Sequence, residues 1–176
     1  MTNTLCADPL PSNIDQVLQT IFIRAIEYID GEIPSLSTTL FNTHSISKLL
    51  QGNQLKYSSR EPAINVYSTG GQFLAHKDAQ ALTLLLPLSS PTDYTGGGTA
   101  FWTQDSRGHR VELPSIIQKP VDCGTALLFG GCVTHAGVAV ESGHRVVFVA
   151  SFSCTSATHH DIVKMDEQRD IYGDSL

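Results

Sequence analysis

The chain lacks most of the features that would assign a sequence to a class at sight. No apolar run approaches the roughly 20 residues needed to span a bilayer, so no membrane association is expected. Basic residues are outnumbered, 11 against 17 acidic for a formal charge of −6, and those that exist, such as Lys48, Arg60, Lys77 and Arg110, are scattered. A nucleic-acid partner would need an electropositive footprint, so none is expected. Cysteine is sparse: Cys6, Cys123, Cys132 and Cys154 show no Cys-x-x-Cys spacing and read as plain thiols rather than metal ligands or disulfide partners. Met1 to Cys6 carries no basic region followed by an apolar one, so it does not read as a secretion signal. The expectation is a soluble, intracellular, cytoplasmic protein.

What is present is globular in texture. Hydrophobic residues make up 41% and charged residues 16% of 176, enough apolar surface for one core and too little charge for a disordered chain. From Ser12 the spacing of Ile14, Val17, Leu18, Ile21, Ala25 and Ile29 predicts an amphipathic helix capped by Ser12 and ended by Gly31. A shorter helix is predicted from Ser45 to Gln51, stopped by Gly52. After Pro62 the texture turns to short β-rich runs: Ala63–Tyr67, Gln80–Leu88, Thr99–Gln104, Arg110–Leu113, Thr125–Phe129, Gly137–Val140 and Arg145–Phe152. Gly, Pro and Ser breakers separate them, as in a sandwich or barrel. Ala81–Leu88 and Val146–Ala150 are apolar at nearly every position, as strands covered on both faces are. The division expected within a single domain is helical support over 1–60, a β core over about 61–154 and a polar tail over 155–176, with weak helical spacing at Ile162, Met165 and Ile171.

His76 and Asp78 are two apart, so on an extended segment both side chains leave one face and can meet one metal. His135 is the candidate third ligand. Two His and one carboxylate suit open-site Fe(II) oxygenases, and zinc hydrolases use similar ligands. Taken alone, His-x-Asp is common and usually structural. Arg145 follows ten residues after His135 and heads the apolar run Arg145-Val146-Val147-Phe148-Val149-Ala150. A guanidinium buried there needs an anion, and its planar fork fits a carboxylate; the readings are a ligand, one of the chain's own acids, or a solvated strand end. Tyr67, ending an apolar strand, is placed to donate to the same anion or to sit in the core. His44, His109, His144, His159 and His160 read as solvated or structural, with His144 pointing away from Arg145 across its strand.

These residues fall into an order: Tyr67-x-x-Gly70, Phe73, His76-x-Asp78, Gly-Gly-x-Thr-x-Phe from Gly96 to Phe101, Gly124-x-Ala126-Leu127-Leu128-Phe129, His135-Ala136-Gly137 and Gly143-x-Arg145. That order resembles the 2-oxoglutarate- and Fe(II)-dependent dioxygenases, in particular their prolyl 4-hydroxylase-like branch, over Ile64 to Phe152. The resemblance implies a mainly β fold, a double-stranded β-helix (jelly-roll, cupin-like) with N-terminal helices packed on its major sheet. It implies His76, Asp78 and His135 as iron ligands, Arg145 as partner of the distal carboxylate of 2-oxoglutarate with help from Tyr67, and Thr99 as a wall of the cosubstrate pocket. Fe(II), 2-oxoglutarate, O2 and ascorbate are the cofactors and cosubstrates so implied.

The implied reaction is hydroxylation, most simply of proline in a protein or peptide, with 2-oxoglutarate decarboxylated to succinate and CO2. Asp78 favours hydroxylation, since halogenating relatives carry a small residue there. Two departures stand out: Arg145 where many collagen-type enzymes have Lys, and Trp102 where the family often has Pro. Two alternatives stay open, the same chemistry on a free amino acid or other small metabolite, and a metal-binding β-helix without turnover. Substrate choice would rest on loops such as Leu55–Pro62 and Ser89–Thr95.

Overall fold

The computed structural model describes the backbone of residues 2–5 and, in full, residues 12–105, 107 and 109–155. The helical spacing at Ile162, Met165 and Ile171, the pair His159-His160 and Cys6 lie outside the described residues. In chain order the elements are β1 (Thr2–Leu5), α1 (Ser12–Glu32), α2 (Pro34–Phe41), α3 (Ile46–Gln51), β2 (Leu55–Tyr57), β3 (Ala63–Tyr67), β4 (Phe73–His76) and β5 (Leu82–Pro87). They continue with β6 (Tyr94–Gly96), β7 (Thr99–Phe101), β8 (Ile116–Gln118), β9 (Leu127–Gly130), β10 (His135–Gly137), β11 (Val140–Gly143) and β12 (Arg145–Cys154).

The strands form a major sheet in the order β1-β3-β12-β5-β9, with β2 pairing the far end of β12, and a minor sheet in the order β4-β10-β7-β8. A two-stranded ribbon, β11-β6, completes the set, and every pairing is antiparallel. The sheets meet through side chains: Arg145 of β12 reaches Thr99 of β7, and Phe129 of β9 packs its ring against Phe101 and His135. This is the double-stranded β-helix with helices on its major sheet.

Because side chains alternate along a strand, the major sheet has two chemically different faces. Leu82, Leu84 and Leu86 of β5 and Phe148, Ala150 and Phe152 of β12 join Leu18, Phe22, Ile26 and Ile29 of α1 in the main core. Phe152 is fully buried, with Phe22 edge-on at 5.2 Å and Phe41 stacked at 5.6 Å. The alternate positions, Asn65, Thr83, Arg145 and Ser151, are buried as well, yet polar. One face packs into the main core, and the other buries polar side chains.

Several elements differ from expectation for identifiable reasons. The buried stripe of α1 runs through Phe22 and Ile26, while Ile14 and Val17 are exposed. The helix continues through Gly31 to Glu32 and stops because Ile33 precedes a proline, which excludes α geometry there. Pro34 then starts α2, its fixed φ and missing N–H suiting a first helical position. The α3 expectation holds: Ser45 accepts from the Lys48 amide and Gly52 is the C-cap. Two strands, β1 and β2, lie within the stretch expected to be helical, each recruited by the major sheet. Arg110–Leu113 is not a strand; only an isolated bridge joins Gln104 and Arg110. Glu141-Ser142-Gly143, expected as a breaker, belongs to β11, and β4, β6 and β8 are short strands that composition did not announce.

Candidate functional site

Strands β4 and β10 are antiparallel neighbours with His76 directly opposite His135. Each ring is tethered to the carbonyl two residues behind it: His76 Nδ1 to Leu74 at 2.8 Å and His135 Nδ1 to Val133 at 3.0 Å. A carbonyl only accepts, so the proton sits on Nδ1 in both rings and the Nε2 lone pair is left for a ligand. This is how metal-binding imidazoles are oriented. Asp78 lies just beyond β4, its amide held by the Gly131 carbonyl at 2.9 Å. Its Oδ1 is 3.4 Å from His76 Nε2 and its Oδ2 is 3.6 Å from His135 Nε2. The three ligand atoms all lie within 4.8 Å of one another, the spacing of groups around one metal ion.

Burial pushes the Asp78 carboxyl up, but hydrogen bonds with His76 and Thr83 and the charges of both histidines outweigh it and hold it below the usual range. The bond to Asp78, opposed by burial, raises His76. Burial lowers His135, against its Val133 bond and Asp78, and keeps that imidazole neutral as a ligand must be.

Two residues further along β10, Gly137 stands opposite Thr99, and there the guanidinium of Arg145 enters. A Cβ at Gly137 would touch Arg145 Nη1 at 3.7 Å, an ordinary contact, and would press on Phe73 at 3.3 Å. Arg145 is 3% exposed. Its Nη2 donates to Thr99 Oγ1 at 3.3 Å, and its guanidinium carbon lies 5.4 Å from the centre of the Tyr67 ring. Tyr94 packs against it from the β6 side, and its Nε is buried without a partner. Burial lowers the Arg145 pKa while the two phenols oppose the shift. Among the described residues no carboxylate pairs with it, so the internal salt bridge left open by the sequence is not formed.

Arg145 and Thr99 border a cavity of about 90 Å3 whose other walls include Leu85, Pro87, Val121 and Leu127. That is several times the roughly 10–15 Å3 needed for one water. Along β10 the cationic end is two residues from His135, about 7 Å at strand rise. A second, open recess of about 370 Å3 is lined by Gln72, Phe73, Leu74 and His76.

All six residues singled out from the sequence therefore fall into two adjoining groups, His76-Asp78-His135 and Arg145-Tyr67-Thr99. The Tyr67 hydroxyl bonds toward Asn65, and the ring is what faces Arg145. Trp102 is half-buried with Arg110 over its ring at 5.5 Å and forms no part of either group. His144 is exposed, and among the described residues Cys123, Cys132 and Cys154 form no disulfide. Missed from the sequence were Tyr94, Thr83 and Ser151. The signal for Thr83 was legible: a hydroxyl inside a run that is otherwise Leu and Pro from Leu82 to Pro87.

No family model matches the sequence, and no curated protein does. Among solved structures, the chain is similar to a Burkholderia pseudomallei oxidoreductase of the 2OG-Fe(II) oxygenase family, at 18% identity and a TM-score of 0.45 over 63% of this chain and 58% of that one. The chain thus spans less than two thirds of that protein. It is similar to a Pseudomonas putida prolyl-4-hydroxylase at 15% identity and a TM-score of 0.47, over 86% of this chain and 70% of that one. A collagen prolyl hydroxylase of Paramecium bursaria Chlorella virus-1, solved with 2OG, is similar at 16% identity and a TM-score of 0.43, over 86% and 77%. The solved structures similar to this chain therefore include 2OG-Fe(II) oxygenases and prolyl hydroxylases, the family its motifs resemble.

Proposed function

We propose that the chain is an Fe(II)- and 2-oxoglutarate-dependent dioxygenase that hydroxylates proline in a peptide or protein. The observation that carries the reading is Arg145, a buried cation whose Nε has no partner, at the wall of a cavity and with its Nη1 beside Gly137, two residues along β10 from His135. A buried guanidinium with no carboxylate partner among the described residues is costly, and a carboxylate received through parallel hydrogen bonds offsets that cost.

In this reading His76, Asp78 and His135 hold the iron, and Arg145 takes the distal carboxylate of 2-oxoglutarate with Thr99 beside it. Bound iron supplies activation of O2, with one oxygen atom ending in the substrate hydroxyl and the other in succinate as CO2 leaves. The protein's own part is positioning. The Leu74 and Val133 carbonyls hold both imidazoles with Nε2 aimed at the metal, and the apolar walls of the Arg145 cavity exclude water from the anion's tail. The recess beside His76, with Phe73 and Leu74 exposed on it, offers an apolar surface of the kind a proline ring would meet.

The test is turnover. Purified protein with Fe(II), ascorbate and 2-oxoglutarate should release succinate, faster with a proline-rich peptide that gains one oxygen, and His76→Ala or Asp78→Ala should abolish it. Equal release by wild type and both variants would overturn the enzyme reading. Oxygen gained by free proline but by no peptide would replace the peptide substrate with a small metabolite.

A further inference from the structure

We infer that Thr83, backed by Ser151, is a positioning residue that holds Asp78 as a single-oxygen metal ligand. The inference rests on the metal reading above and extends it to residues that touch neither metal nor cosubstrate. Thr83 and Ser151 are each 1% exposed, and they are direct register partners on β5 and β12. Two hydroxyls facing each other inside a buried sheet need a reason, because buried polar groups are retained only when satisfied.

Their hydrogen bonds give it. The Thr83 hydroxyl donates to Asp78 Oδ2, in a short contact. A hydroxyl carries one proton, and Thr83 has spent it on the carboxylate. Thr83 Oγ1 also lies 3.1 Å from Ser151 Oγ. Ser151 is tied in turn to the Glu61 carboxylate through its backbone amide and its side chain. Glu61 thus anchors Ser151, Ser151 backs the Thr83 hydroxyl, and that hydroxyl donates to Asp78.

The consequence concerns how many positions a bound metal keeps open. With Oδ2 engaged by Thr83, Oδ1 is the oxygen left for a metal, on the side of His76 Nε2. Two imidazoles and one carboxylate oxygen would hold a metal and leave positions on it open, as open-site iron chemistry requires. Binding through both Asp78 oxygens would close one of those positions. The hydroxyl thus keeps the carboxylate oriented and its second oxygen occupied.

The experiment measures Mn(II) binding to the full chain by calorimetry, without cosubstrate, so the readout is not turnover. Thr83→Val keeps the shape and removes the hydroxyl; loss of a hydrogen-bond partner behind a metal ligand typically costs 10- to 100-fold in metal affinity. A loss of that size, recovered by Thr83→Ser, is expected. Mn(II) affinity equal to wild type in Thr83→Val overturns the positioning role while leaving the metal site intact. Wild-type protein that binds no Mn(II) overturns the metal reading and this inference together. If Thr83→Val does not fold, Thr83→Ala removes the same hydroxyl without setting a methyl against Ser151 and is held to the same two outcomes.

Discussion

Tyr67 and Arg145 are register partners on β3 and β12, and the Arg145 guanidinium carbon lies 5.4 Å from the centre of the Tyr67 ring. The ring, more than the hydroxyl, holds the cation in place. A desolvated cation–π contact is worth about 2 kcal/mol, roughly 30-fold in affinity. Tyr67→Leu should raise the 2-oxoglutarate requirement by up to about that factor, whereas Tyr67→Phe should change it little. A Phe variant as impaired as the Leu variant would return the role to the hydroxyl.

Arg145 itself should matter more. Truncating one partner of a buried, charge-assisted pair costs about 2–5 kcal/mol, so Arg145→Gln should raise the 2-oxoglutarate requirement by about 30-fold or more. Arg145→Lys should recover part of the loss, since it keeps the charge and loses the fork. Saturation curves for succinate release provide the comparison.

Gly131 supports the segment that carries Asp78. Its carbonyl accepts from the Asp78 amide, and a Cβ added there would collide with the Gln80 carbonyl oxygen at 1.8 Å and come within 3.1 Å of the Asp78 carbonyl. Gly131→Ala must therefore displace the 78–80 backbone. Mn(II) affinity should fall at least about tenfold, as for other losses of support behind a metal ligand, and unchanged affinity would show that the segment yields without moving the ligand.

Far from the site, Asp30 ties the helices together by accepting from the hydroxyls of Ser37 and Ser45 and the amides of Ile46 and Ser47. Burial raises its carboxyl, but these bonds outweigh that effect and bring it from 3.8 to about 2. A depressed carboxyl contributes stability that is fully present above the unfolded value of 3.8 and is lost as pH falls toward 2. After discounting for its partial exposure to solvent, the contribution is about 1 kcal/mol. Asp30→Asn should lose that much in urea unfolding at pH 7, with the gap to wild type shrinking below pH 4. A gap constant with pH would assign the loss to geometry rather than charge.

How much of this was legible in the sequence depends on the kind of information each residue carries. Arg145 was legible because a guanidinium heading an apolar run has few inexpensive explanations, whereas His76, Asp78 and His135 were legible through their spacing and the motif order around them. The two-faced major sheet was legible in Ala81–Leu88 and Val146–Ala150. Short strands such as β4 and β8 were not, because three or four residues carry too little periodicity and exist only through their neighbours. The Thr83–Ser151 pair was hidden for another reason. Its meaning lies in a contact between residues 68 apart in sequence, set by the β5–β12 register that no local pattern encodes.

In the proposed function His76, Asp78 and His135 on one side and Arg145 on the other hold one oxoacid between them. Calorimetric titration of 2-oxoglutarate into the protein under anaerobic conditions, with and without Fe(II), tests it directly. The account expects one equivalent bound only when Fe(II) is present, with binding sharply weakened in both Asp78→Ala and Arg145→Gln. Absence of binding to the Fe(II)-loaded wild type, or binding indifferent to the metal and to Arg145, would contradict it.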